Sequence, residues 1–391
     1  MIEGTSSAAQ AAVLRYGMVG GGAGAFIGDV HRKAIALDGK AALVAGCFSR
    51  DFANTLATGR GLGVADDRLY RTYEDMAEQE AAREDGIDFV SIVTPNHLHY
   101  PIAKAFLSRG INVVCDKPLC WTVAEAEDLV RTAKEKDLLF GVTYTYSGYP
   151  MVKQAREMVR RGDLGEIRVV VAEYPQDWLA TEIEQGGQKQ AAWRTDPAQS
   201  GVSNCVGDIG SHIENTVAQI TGLKLKALCA NLDIFGEGRR LDDNAAILVR
   251  YEGGATGVYW SSQVAIGHDN GLKVRVFGTK GSLEFEQENP NYLRVAFLGG
   301  PVQILSRGAG YLYPPAARLA RIPTGHPEGY FEAFANIYSA YAGALLKKRA
   351  GEALSEADLD FPTAEDGLSG VKFINRAVES ARKGSVWVDV D

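Results

Sequence analysis

No run of apolar residues in this 391-residue chain approaches the roughly 20 that a membrane-spanning helix needs, so no membrane span is expected. Cysteine is sparse. The five residues Cys47, Cys115, Cys120, Cys205 and Cys229 are scattered, odd in number and never spaced as C-x-x-C. That argues against a disulfide framework, a zinc ribbon and an iron–sulfur site, and fits a reducing compartment. Basic clusters are missing too: 41 Lys and Arg stand against 49 Asp and Glu, a formal net charge of −8, with no Lys/Arg-rich run. An acidic chain repels a phosphate backbone, so nucleic acid is not an expected partner. A secretory leader is not evident either, because Glu3 stands where positive charge belongs and no apolar stretch follows. A cytoplasmic protein is the expectation. What the chain does contain is ordinary globular material, 46% hydrophobic and 23% charged, of a length for two or three domains. Cores of that size need no metal or disulfide to hold them.

Residues 1–12 are small and polar and read as a loose tail. From Val13 the pattern alternates short apolar runs with helical stretches: LRYGMVG, then FIGDVHRKAIALD with Phe26, Val30, Ala34 and Leu37 on one face, then AALVAGCF. A third unit passes through RLYRTY into EDMAEQEAARE, and IDFVSIVTP, INVVCDKP and LLFGVTYTY follow. Strand–helix alternation implies right-handed crossovers and a parallel sheet, so 13–143 is expected to be a doubly wound, Rossmann-type nucleotide-binding domain. From 144 to 391 the rhythm changes. Seven strand-like runs, IRVVVAEY, LKALCANLDIF, AAILVRYEG, ATGVYWSSQV, LKVRVFGT, GSLEFEQE and LRVAFLG, follow with few helices between them. They predict consecutive strands paired antiparallel, as hairpins or a meander, in a mainly antiparallel sheet of a second α/β domain, with helices returning at the end of the chain.

The glycine-rich stretch GGGAGAFIG, Gly20 to Gly28, lies between the first strand and its helix. Glycines there let backbone approach a pyrophosphate, whose charge then meets the helix N-terminus; Gly20, Gly22 and Ala25 fit G-x-G-x-x-A. A turn used only for packing would look the same. The end of the second strand reads Phe48–Ser49–Arg50–Asp51. Ser49 is small and neutral and Arg50 suits a 2′-phosphate, which favours NADP; a register shift of two would instead make Asp51 a ribose acceptor. TPNHLH, Thr94 to His99, and CDKP, Cys115 to Pro118, end later strands on the edge where ligands bind, so Lys117 emerges at the crevice. In GDIGSHIEN, Asp208 and His212 are spaced i,i+4 on one helical face. They suit a general base with a carboxylate partner, two ligands of a metal site lacking its third, or a structural pair.

In this order, the glycine turn, TPNHLH, the lysine–proline motif and GDIGSH resemble the glucose–fructose oxidoreductase / inositol dehydrogenase family (Gfo/Idh/MocA) over nearly the whole chain. The family's E-K-P motif stands here as Asp116–Lys117–Pro118, and a common family arginine stands as Ser147, which suggests an altered pocket. The resemblance implies a Rossmann domain followed by an open-faced, largely antiparallel α/β domain. It also implies metal-independent hydride transfer between NAD(P) and a secondary hydroxyl or carbonyl of a sugar, cyclic sugar derivative or cyclitol. Lys117, Asp208 and His212 are then the catalytic group: His212 as base, Asp208 orienting it, and Lys117 binding the substrate oxygen. The dinucleotide is assigned Gly20, Gly22, Ala25, Phe26, Ile27, Ser49, Arg50, Thr94, Pro95, Asn96, His99, Asp116, Lys117, Trp193 and Arg194. The substrate is assigned Lys117, Tyr146, Trp178, Asp208, His212 and His326, in part because aromatics stack on sugar C–H faces. PQDWL, KQAAWRTDP and GHPEGYFEAF further resemble members that oxidise cyclic sugars such as levoglucosan. A non-catalytic nicotinamide-binding sensor of the same fold is the alternative. Apolar residues on both alternating sets of AAILVRYEG predict a homodimer, or a homotetramer built from such dimers.

Overall fold

The computed structural model describes residues 13–390; the tail expected at 1–12 lies outside them. Strands β1 (Leu14–Gly20), β2 (Ala41–Cys47), β3 (Phe89–Val93), β4 (Asn112–Cys115) and β5 (Phe140–Val142) form a parallel sheet in the order β2-β1-β3-β4-β5. Their apolar runs are nearly continuous because helices cover both faces, and β3 is buried along its whole length. Since all five run the same way, Gly20, Cys47, Val93, Cys115 and Val142 end on one edge.

Of the expected third unit the helix forms, Tyr73–Ala82, but among the described residues the strand before it does not. A short 3₁₀ turn, Asp66–Arg68, leads into RLYRTY, and only Leu69 of the run bridges to Gly46 of β2. Arg68 turns inward to a buried ion pair with Glu80, which also accepts from the Tyr70 hydroxyl at 2.7 Å. Pairing with β2 stops at that bridge and the bond from Tyr70 N–H to the Gly46 carbonyl at 2.9 Å.

The second sheet has nine strands: β6 (Ile167–Pro175), β7 (Leu225–Asp233), β8 (Asn244–Tyr251), β9 (Thr256–Ser262), β10 (Lys273–Gly278), β11 (Gly281–Glu286), β12 (Tyr292–Phe297), β13 (Val302–Ser306) and β14 (Val388–Asp389). Their order is β13-β12-β11-β10-β6-β9-β8-β7-β14. The expectation that consecutive strands pair fails at β6, which inserts between β9 and β10 and lies parallel to β9. The other pairs are antiparallel. Helices Pro150–Arg160, Ser211–Thr221 and Ala364–Arg382 cover one face of this sheet. On β8, Ala245, Ile247, Val249 and Tyr251 point into that core while Ala246, Leu248 and Arg250 point away. The long helix Tyr330–Arg349 returns to the first sheet, where Phe334 and Tyr338 pack on His31 of the first helix. Among the described residues, no helix is long and apolar enough to cross a membrane.

Candidate active site

The strand ends of the parallel sheet open into a cleft of about 920 Å³ shared with the second sheet. Its floor is the glycine loop. Gly20, Gly21 and Gly24 all have positive φ, which side chains rarely adopt. A Cβ on Gly22 would stand 2.7 Å from the Asn54 side-chain oxygen and 2.9 Å from the Phe48 carbonyl oxygen. A Cβ on Gly28 would stand 2.4 Å from Gly21 Cα, so the closest helix–strand approach falls at Gly28. Ala25, the third member of the expected spacing, is the N-cap of helix Phe26–Leu37. Such a cradle, closed by backbone and pointing a helix N-terminus at the cleft, fits a dinucleotide pyrophosphate.

At the outer end of the cleft, Ser49 and Arg50 line the wall together with Arg71 and Glu74. Asp51 does not: its carboxylate accepts from Ala53 N–H at 2.9 Å and caps the next helix. Its alternative role as ribose acceptor is therefore taken up by a helix terminus.

At the inner end, three elements converge. Lys117, after β4, donates from Nζ to the Asp208 carbonyl at 2.6 Å and to its carboxylate at 2.8 Å. Asp208 lies in a π-helical turn, Val206–Gly210, that leads into the regular helix carrying His212. Inserted π-turns recur at functional sites because they re-aim a side chain without ending the helix. Burial alone pushes the Asp208 carboxyl up, but the Arg194 and Lys117 charges prevail and hold it well below the usual carboxylate range. Arg194 lies 3.0 Å from its Oδ1, and Gln263 donates to Oδ2 at 3.0 Å. Burial, and then the Lys117 charge, push the His212 imidazole well below its ordinary value, so it is neutral. The expected Asp208–His212 pair takes a different form: the Asp208 carboxylate is occupied by Lys117, Arg194 and Gln263, and His212 Nδ1 is buried without a partner. Among the described residues, no group of three His, Cys, Asp or Glu side chains could hold a metal ion.

The first third of the chain, 14–144, matches the oxidoreductase family, NAD-binding Rossmann fold, and 152–284 matches the GFO/IDH/MocA C-terminal domain. The chain belongs to the GFO/IDH/MocA oxidoreductase family. It is 38% identical to the oxidoreductase YfiI of Bacillus subtilis (strain 168) over 96% of each chain. An inositol dehydrogenase homolog from Azotobacter vinelandii, solved with NAD+, superposes with a TM-score of 0.92 at 42% identity, covering 100% of both chains. Levoglucosan dehydrogenase of Pseudarthrobacter phenanthrenivorans is 29% identical over 78% of this chain and 80% of that enzyme.

As a member of this family of oxidoreductases, the chain departs from several residue-level expectations. Phe26, Ile27, Thr94, Pro95, Asn96, Asp116, Tyr146, Trp193 and Arg194 line the cleft with Gly20, Gly22 and Ala25. His99 does not: it is buried with its ring between the two cleft loops, Nε2 2.9 Å from the Thr94 carbonyl and Nδ1 2.7 Å from the Pro118 carbonyl, and the neutral ring donates to one of them. His326 is exposed on a loop away from the cleft, where its carbonyl accepts from Arg307. Trp178 does not line the cleft either; its ring centroid lies 5.8 Å from the guanidinium carbon of Arg194, which does. Asp116 Oδ1 accepts from Lys117 N–H and from the Thr143 hydroxyl, both at 2.9 Å, so the shorter acid fixes the lysine's backbone. Ser147, expected to alter the pocket, is buried and donates to the Tyr144 carbonyl at 2.8 Å. Unexpected from the sequence are Tyr174, Gln176, Asn270 and Gln287, which line the inner wall. They sit at the end of β6, in the β9–β10 loop and after β11, places that only the inserted strand order brings together.

Proposed function

We propose that this enzyme oxidises a secondary hydroxyl on the ring of an uncharged sugar, cyclic sugar derivative or cyclitol, using NAD(P). The observation that carries the reading is Lys117, Asp208 and His212 meeting in one cleft with the glycine cradle, beside an inner wall of uncharged polar groups. The solved inositol dehydrogenase homolog with NADH and myo-inositol, 41% identical and covering 96% of this chain and 97% of that one, supports the substrate class.

When bound, the nicotinamide supplies the hydride acceptor. The Lys117 ammonium has three N–H donors, of which two go to Asp208, leaving one for the substrate oxygen and the negative charge that develops on it. Neutral His212 takes the hydroxyl proton as general base. Asp208 and Gln263 position Lys117, and the Lys117 and Arg194 cations stand with the Asp208 and Asp116 carboxylates in this cleft, so the formal charges of these four groups cancel and suit an uncharged substrate. At the ribose end no carboxylate closes β2, and Arg50 and Arg71 outnumber the one carboxylate on that wall, Glu74; this supports acceptance of a 2′-phosphate, with Arg50 favouring NADP. The homodimer is proposed on the free face of the second sheet.

The test is the absorbance of reduced nicotinamide with NAD+ and NADP+ against myo-inositol, levoglucosan and D-xylose. Reduction with at least one polyol is expected, and no reduction with any would contradict the reading. Arg50→Ala should raise the NADP+ KM about tenfold, one charge-assisted hydrogen bond, and leave NAD+ nearly unchanged. An NAD+ preference indifferent to the substitution would show that other groups read the ribose.

A further inference from the structure

Tyr146, Tyr174 and Asn270 close a three-membered ring of hydrogen bonds on the inner wall. The Tyr174 hydroxyl donates to Asn270 Oδ1 at 2.5 Å, Asn270 Nδ2 donates to the Tyr146 hydroxyl at 3.2 Å, and the two hydroxyls bond each other. Because the Tyr174 proton goes to the amide oxygen, the Tyr146 proton must go to Tyr174. Turning the amide over reverses the direction of the ring and gives the same count. Either way both phenolic protons are consumed inside the ring, and each oxygen keeps only a lone pair.

The ring is held from outside. Gln176 Nε2 donates to Asn270 Oδ1 at 2.7 Å, and Asn270 Nδ2 also donates to Gln287 Oε1 at 3.1 Å, so all four bonding positions of the Asn270 amide are filled. The backbone of Asn270 donates to the Glu288 carboxylate at 2.8 Å. Tyr146 and Tyr174 are themselves almost wholly buried, and both rings face His212, at 4.6 Å and 6.2 Å between centroids. Both tyrosines line the cleft together with His212.

We infer that this ring is a specificity device: it presents acceptors only, and so requires a free, hydrogen-bond-donating hydroxyl on the substrate beside the reacting carbon. An ether, carbonyl or deoxy carbon at that place leaves the phenol lone pairs without a donor, a mismatch worth about tenfold for a neutral hydrogen bond. The inference deepens the polyol reading of the same cleft and rests on it for the identity of the reacting carbon.

The experiment compares myo-inositol with its mono-O-methyl and monodeoxy derivatives at each ring position. Binding to the NAD+ complex is read by tryptophan fluorescence, and kcat/KM by nicotinamide reduction. In the wild type at least one position should show a gap of about tenfold or more in both measurements. Tyr174→Phe opens the ring and frees the Tyr146 proton to donate, so the gap for the O-methyl derivative at that position should largely close. Tyr146→Phe leaves the Tyr174 proton on Asn270 Oδ1 and should keep the gap; with the amide turned over the two variants exchange roles, so one of the two closes the gap in either case. Equal wild-type affinities for parent and derivatives, or a gap that survives both substitutions, would overturn the inference. A binding gap without turnover of any polyol would sink the dehydrogenase reading and leave the specificity device standing. No binding of the parent or its derivatives would overturn both.

Discussion

Two buried side chains outside the cleft set opposite pH limits on the fold. Burial, reinforced by the neighbouring Asp366 carboxyl, pushes Glu214 up from 4.5 to about 8. The unfolded chain releases this proton from about pH 4.5 upward while the folded chain keeps it, so stability is lost as pH rises from there through about 8. At 1.36 kcal/mol per pKa unit, the ceiling is about 5 kcal/mol. Burial pushes His31 the other way, down to about 4 from 6.5, and its contribution is lost as pH falls through that window. Glu214→Gln keeps the shape and removes the first penalty. Its melting temperature should exceed the wild type's by several degrees at pH 8 and match it near pH 4.5; parallel curves would mean that Glu214 is ionised in the fold. At this scale the sequence was readable where a motif fixed a position, as for Lys117, Asp208 and His212. It was silent on partners: Asp208 meets groups from Lys117, Arg194 and Gln263, none near it in the chain. It was also silent on direction, since nothing in their residue type distinguishes His99, turned into two carbonyls, from His212, turned to the cleft.

Among elements, the parallel strands were legible because burial on both faces writes itself as unbroken apolar runs. RLYRTY has the composition of a strand, yet only Leu69 of it bridges to β2, while Arg68 and Tyr70 turn their side chains inward to Glu80. The glycine loop was legible as a phosphate cradle, but its register was not. Gly20 and Gly22 could be placed by spacing, whereas the assignment of the third position to Gly28 rather than Ala25 depends on how closely Gly21 approaches the helix. Likewise GDIGSHIEN announced a helical Asp–His spacing, and the π-turn at Val206–Gly210 that re-aims Asp208 toward Lys117 left no periodic trace. Strand β13 was overlooked because its exposed, mixed side chains lack the alternation of a half-buried strand.

For the molecule as a whole, both sheets were foreseeable and their strand order was not, because the insertion of β6 between β9 and β10 is a choice of topology. That choice builds the inner wall. It also leaves an apolar stripe on the uncovered face, where register sets Phe277 beside Val169, and Val258 beside both Val171 and Leu248. Phe277, Val169, Val258 and Leu248 are each 38–47% exposed. A continuous exposed stripe of this kind suits a two-fold interface with a second copy of the chain. Light scattering at micromolar concentration should give twice the 42.1 kDa chain mass or a further multiple of it, whereas a mass near 42.1 kDa would contradict the dimer.

The central claim is that His212, kept neutral by burial, removes the substrate proton in this cleft. Its most direct test is single-turnover nicotinamide reduction by the wild type and His212→Ala across pH, with cofactor affinity measured alongside. The wild-type rate should show no acid limb near the ordinary histidine value of 6.5, since the folded imidazole titrates well below it. The variant should be roughly 100- to 10,000-fold slower at each pH, with cofactor affinity nearly unchanged. A variant that matched the wild-type rate across pH would contradict the account.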